Sequence, residues 1–213
     1  MFVLLLASFV LSAFLPGRQI QVLPLCLYLA ALLLVMRAAK PRSRASKWWR
    51  WALVTGSVSA AAVASTSGVR AVHGVVALWL AVILFYTIVV LLRRVLVGHR
   101  VVTLQTIFGA LSAYLLIGSF FAAVLSAVSL LQSQPLFALG QPATVSSIQY
   151  FSFSTLATVG YGDYTAAGEP ARTLAVLEAL GGQIFLVTLV ARLVTIFGTP
   201  RRQVAGDTSA SAD

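Results

Sequence analysis

The chain has 213 residues, of which 60% are hydrophobic and only 9% charged. Soluble domains carry about 25% charged residues, and a chain this apolar has too little polar surface to cover one, so an ordinary soluble domain is excluded. Fifteen Lys and Arg against five Asp and Glu leave a net charge of +10, an excess to be weighed as membrane topology before nucleic-acid binding. The lone cysteine, Cys26, permits neither an intrachain disulfide nor a paired-cysteine metal motif. His73 and His99 stand far apart, and with so few acids beside them no enzyme is expected.

Six apolar runs follow one another between polar or Gly/Pro breaks: Phe2 to Leu15, Ile20 to Met36, Trp51 to Ala64, Val75 to Leu92, Leu104 to Leu131 and Ala171 to Phe197. A helix needs about 20 apolar residues to cross a hydrocarbon core of about 30 Å. The last two runs meet that length and the fourth is close. The expected fold is therefore an all-α membrane protein with six transmembrane helices per chain. The first run has the apolar core of a signal peptide but no preceding Lys or Arg, which favours a retained helix.

The basic residues set the expected orientation. Arg37, Lys40, Arg42, Arg44, Lys47 and Arg50 lie between the second and third runs. Arg93, Arg94 and Arg100 lie between the fourth and fifth, and Arg192, Arg201 and Arg202 at or after the end of the sixth. The opposite side holds only Arg18, Arg70 and Arg172. Both termini are thus expected in the cytoplasm. The segment from Arg37 to Arg50 is expected to touch anionic lipid and not nucleic acid, with the indoles of Trp48, Trp49 and Trp51 at headgroup depth. The fourth run has no ladder of basic residues, so a voltage-sensing helix is not expected.

Between the fifth and sixth runs lies a segment, 132–170, too polar and broken to cross a membrane alone. Ser146 to Ala157 reads as a short helix. After it comes Thr158-Val159-Gly160-Tyr161-Gly162-Asp163. Glycine at alternate positions allows backbone dihedrals closed to other residues, and non-helical backbone at membrane depth is tolerated only inside protein or beside a water-filled cavity.

On this run, residues from about Arg100 to Phe197 resemble the pore module of the potassium-channel superfamily, and most of all its small bacterial ion-channel members. The stretches carrying the resemblance are VVTLQTIFGALSAYLLIGSFFA, YFSFSTLATVGYGDYTA and RTLAVLEALGGQIFLVTLVARLV. It implies an outer helix, a re-entrant pore helix (146–157), a filter loop (158–163) and an inner helix (171–197) within a module spanning 103–197. The rest would divide into a membrane region (1–92) without a sensor helix, a cytoplasmic linker (93–102) and a short tail (198–213). The implied function is passive, potassium-selective conduction by a homotetramer in the bacterial inner membrane. K⁺ is the bound and permeating ion, and no other cofactor is expected.

Carbonyls of Thr158, Val159, Gly160 and Tyr161 would take the place of the ion's water shell, with Gly162 completing the filter and Asp163 at its outer mouth. The side chains of Val159 and Tyr161 would pack behind it. Arg172 would open the inner helix. The chain also departs from the family. Ser154 stands where many relatives have a glutamate paired with the filter aspartate, Phe151 cannot donate to that aspartate, and Ala157 replaces a common threonine.

Gly181 and Gly182 fall at the family's inner-helix hinge, though small residues there equally serve close packing against the pore helix. At 100° per residue Gln183, Leu186 or Val187, Val190 and Val194 share one face, assigned to the cavity. Glu178 lies 140° round the helix from Gln183 and so points away from it. Its expected partners are the hydroxyls of Ser154 and Thr155, which a neutral carboxyl would brace by donating a hydrogen bond. The alternative is a hydrated position near the headgroups.

Overall fold

A computed structural model of the chain describes residues 67–97 and 104–197, together with positions 2, 3, 5–7, 10, 55, 56, 59 and 62. The run Ile20 to Met36, most of Trp51 to Ala64, Cys26, the basic segment from Arg37 to Arg50 with its tryptophans, and the tail 198–213 lie outside the described residues.

Four helices are complete: α1 (Arg70–Val97), α2 (Leu104–Leu131), α3 (Val145–Leu156) and α4 (Glu169–Phe197). Three of them are long and apolar enough to cross a membrane, over Arg70–Arg93, Ile107–Leu131 and Glu169–Arg192. α2 has the expected bounds. α1 extends beyond the expected Val75 to Leu92 at both ends, because Ala71 and Val72 continue its apolar surface and no Gly or Pro between Val75 and Val97 breaks the helix. α3 starts one residue before its expected first position, and α4 two, with Pro170 in the first turn, where a missing N–H costs nothing.

α1 and α2 pack along a seam of Ala81, Leu84, Ile88 and Leu91 against Ala113, Leu116 and Ala123. The three- and four-residue steps keep these side chains on one stripe of each helix, and the alanines let the backbones approach closely in lipid. Hydroxyls within these helices bond to the carbonyl one turn back: Thr87 to Ile83 at 2.7 Å, Ser112 to Phe108 at 2.7 Å and Ser119 to Leu115 at 2.9 Å. A buried hydroxyl is costly without a partner, and this local bond supplies one at no demand on a neighbouring helix.

A second core of Leu125, Leu136, Phe137, Ile148, Phe151 and Ala171 joins α2, the loop after it, α3 and the start of α4. Phe137 is fully buried and meets Phe151 and Tyr164 edge-on. An antiparallel bridge links Phe137 to Ala166. Its bonds run from Ala138 N to Thr165 O at 2.8 Å and from Ala167 N to Leu136 O at 2.9 Å. The segment after α2 is thereby fixed to the segment before α4, with α3 held between them.

Candidate functional site

α3 begins at a capping box. Thr144 Oγ1 accepts from Ser147 N at 3.1 Å, and Ser147 Oγ accepts from Thr144 N at 2.9 Å. Two of the orphan donors at this end are satisfied without help from another element. The helix has 12 residues, about 18 Å at 1.5 Å per residue, which is too short to span the hydrocarbon core. It ends where Thr158 leaves the right-handed region.

The backbone after α3 alternates in hand. Thr158, Gly160 and Gly162 have φ of +56°, +52° and +83°, whereas Val159 and Tyr161 keep negative φ. Glycine takes such values freely. Threonine is β-branched and does not, so Thr158 marks a strained point that its surroundings hold in place.

Hydrogen bonds show what holds it. Thr158 N donates to Thr155 O at 2.9 Å. Val159 N and Gly160 N both donate to Ser154 O, at 2.8 and 3.3 Å. The loop thus folds back onto the last turn of α3, whose free carbonyls it satisfies. Among the described residues no carbonyl from Thr158 to Gly162 accepts a hydrogen bond.

At its far end the loop is tied by side chains. Gln141 Nε2 donates to Asp163 O at 2.6 Å, and Asp163 Oδ1 accepts from Tyr164 N at 3.1 Å. Arg172 Nε donates to Ala166 O at 3.2 Å, and its guanidinium pairs with Glu169 at 3.4 Å. Tyr161 is 72% exposed within the chain but stacks on Tyr150 of α3, with ring centroids 6.1 Å apart. Val159 is 50% exposed. Of the two side chains expected behind the loop, only Tyr161 therefore finds a ring partner in its own chain.

One expected contact is corrected, and one expected gap has a neighbour that bears on it. Phe151 indeed offers no donor, but its neighbour Tyr150 brings a phenol beside the Asp163 carboxylate. Desolvation, then the neighbouring Asp163 carboxylate, hold the Tyr150 phenol above its ordinary value, so it keeps its proton. The partner of Glu178 is neither Ser154 nor Thr155. Ser154 Oγ turns back to Phe151 O at 3.0 Å, and Glu178 Oε1 meets Ser152 Oγ instead. Glu178 is 0% exposed, which removes the hydrated position near the headgroups. Gln183 is exposed, so the expected opposition of these two faces holds.

Leu186, Val190 and Val194, placed with Gln183 on one face of α4, are all exposed within the chain. The two glycines differ. A Cβ on Gly182 would lie 2.7 Å from Leu156 Cδ1 and 2.7 Å from Leu156 O, whereas one on Gly181 would meet nothing within 4 Å. Gly182 is thus a close-packing position against the end of α3, in a helix that runs unbroken from Glu169 to Phe197. Two further residues escaped the sequence reading. Tyr114 of α2 donates to Leu156 O at 3.2 Å and stacks on Phe185 of α4, and Gly118 lets the Phe153 ring against α2. The hydroxyl of Tyr114 within an apolar helix was the available signal.

No curated protein and no solved structure matches the chain. The family model described as ion channel matches residues 101–198, a stretch that runs from α2 through the loop 158–163 to α4 and is consistent with a pore module of the potassium-channel superfamily.

Proposed function

We propose that four copies of this chain surround one axis and conduct potassium passively through the loop Thr158 to Gly162. The observation that carries the reading is the set of successive carbonyls without hydrogen-bond partners in a backbone of alternating hand. In an ordinary strand successive carbonyls point to opposite sides. Left-handed dihedrals at every second residue turn them to the same side. Carbonyls left unbonded at membrane depth are costly unless something else satisfies them. A cation that has shed its water does so.

One loop offers oxygens to one side only, so an ion encircled by carbonyls needs several loops, and closed symmetry with four supplies them. The exposed face of Gln183, Leu186, Val190 and Val194 would then line the cavity below. The C-terminal end of α3 adds its partial negative charge near the ion path. In this reading both termini are cytoplasmic, K⁺ is the bound ion and the site uses no further cofactor.

The test is the reversal potential of purified protein in planar bilayers under asymmetric K⁺ and Na⁺. Reversal near the potassium equilibrium potential is the expected result. Reversal near zero would make the pore a non-selective cation channel, and absence of current would make the chain a non-conducting subunit. Because α1 carries no Lys or Arg between Arg70 and Arg93, open probability should change little over about 100 mV, a span worth only about 2.3 kcal/mol per charge moved.

A further inference from the structure

Glu178, Ser152 and Gly118 bring three elements to one buried point. Ser152 on α3 is 0% exposed, as is Glu178 on α4. Ser152 Oγ lies 2.8 Å from the carbonyl oxygen of Gly118 on α2 and within hydrogen-bonding distance of Glu178 Oε1. A serine hydroxyl has a single hydrogen to give. A carbonyl can only accept. If the carboxyl were ionised it would take that hydrogen, and Ser152 Oγ would face the Gly118 oxygen with no proton between them.

With a neutral carboxyl every contact is satisfied. The Glu178 hydroxyl donates to Ser152 Oγ, and Ser152 Oγ–H donates to Gly118 O. The second carboxyl oxygen, Oε2, is buried and has no hydrogen-bond partner among the described residues. An unpartnered carbonyl oxygen is far cheaper to bury than half of a carboxylate charge.

We infer that Glu178 is a positioning residue for the filter: it holds a proton and, through Ser152, clamps α3 to both α4 and α2. The inference rests on the conduction reading above, because what the clamp positions is the loop Thr158 to Gly162. Two residues after Ser152, Ser154 O receives the N–H groups of Val159 and Gly160, so a shift of α3 at Ser152 carries the loop with it. The same turn is fixed from α2 by Tyr114 on Leu156 O and from α4 by Gly182 on Leu156.

The helices packed against α4 are α2 and α3. Tyr114 is the titratable residue of α2 and interacts electrostatically with Glu178. Tyr150 is that of α3, at the other end, beside Asp163. On α4 itself the charged groups are Glu169, Arg172 and Arg192, of which the first two pair with each other. Raising the pH removes the proton of the clamp and leaves a charge facing a carbonyl. The conducting arrangement of the loop should then weaken.

The test uses the full chain in vesicles of phosphatidylcholine and phosphatidylglycerol, with K⁺ flux measured from mildly acid to mildly alkaline buffer. Parent flux should fall as pH rises. Glu178→Gln keeps the shape and the donated hydrogen, so flux should persist and its pH dependence should vanish. Glu178→Ala and Ser152→Ala should each lower flux at every pH, by roughly tenfold for the loss of a buried hydrogen-bond partner. Independently of flux, the parent should show an infrared band of a protonated carboxyl at neutral pH that Glu178→Gln lacks. If the Ala variants fail to assemble, the Gln variant and that band still decide. Absence of the band, or Gln and Ala variants with the parent's pH profile, overturns the inference. A parent that passes no ions but shows the band sinks the conduction reading and leaves the clamp standing.

Discussion

At Gly160 and Gly162 a side chain would be opposed by the backbone dihedrals and not by crowding. Their φ values are +52° and +83°, and a Cβ at either would meet nothing within 4 Å. An L-residue held there costs about 1–2 kcal/mol, repeated in every subunit of an assembly. Gly160→Ala and Gly162→Ala should therefore abolish selectivity or conduction while the oligomer still forms, as read by reversal potentials beside size-exclusion chromatography. Unchanged K⁺ over Na⁺ permeability would remove the filter from this loop. These glycines were legible in the sequence because their alternation with Val159 and Tyr161 has few structural uses. Ser152 was not, although its role was foreseen for Ser154, and neither was Tyr150, which brings beside Asp163 the donor that Phe151 was expected to lack. One residue turns a helix face by 100° and two by 200°. A short helix with apolar residues all round, such as Tyr150, Phe151 and Phe153, gives little sign of which face meets which neighbour.

At the scale of the elements, the long helices were legible from the lengths of their apolar runs and the Gly/Pro breaks between them. Their ends shifted where Pro170 begins a helix early or where apolar surface continues, as in α1. Their contacts were not legible, since small residues can mark either a bend or a close approach. The adjacent glycines of α4 show the difference. Gly182→Ala drives a methyl group against a backbone oxygen and should separate α4 from α3, at a cost of about 1–3 kcal/mol. Gly181→Ala meets open space and should be neutral or stabilising by about 0.5–1 kcal/mol, as for alanine replacing glycine within a helix. Thermal denaturation of the two purified variants checks this. A larger loss at 181 than at 182 would contradict the packing seen here.

For the molecule as a whole, the outer helices bury their seam within one chain, whereas α4 leaves Val176, Leu177, Leu180, Ile184, Val187, Val190 and Val194 exposed. The sequence announced six apolar runs but could not say which are satisfied within the chain. That depends on side-chain stripes brought together only by the fold. In the proposed assembly this exposed face would tie the stability of each subunit to its neighbours. The unbonded carbonyls of Thr158 to Gly162 add a second dependence, best put as mass action. In the proposed assembly these oxygens would face one another, so an ion bound there would bind the assembled state and not the separated subunits. Its presence at a hundredfold excess over its dissociation constant stabilises assembly by about 2.7 kcal/mol. The temperature at which the purified oligomer falls apart should therefore rise with potassium concentration, and sodium at equal ionic strength should leave it nearly where it was. In those terms the proposed permeating ion would also be a structural ligand, and the proposed pore would be most fragile when empty.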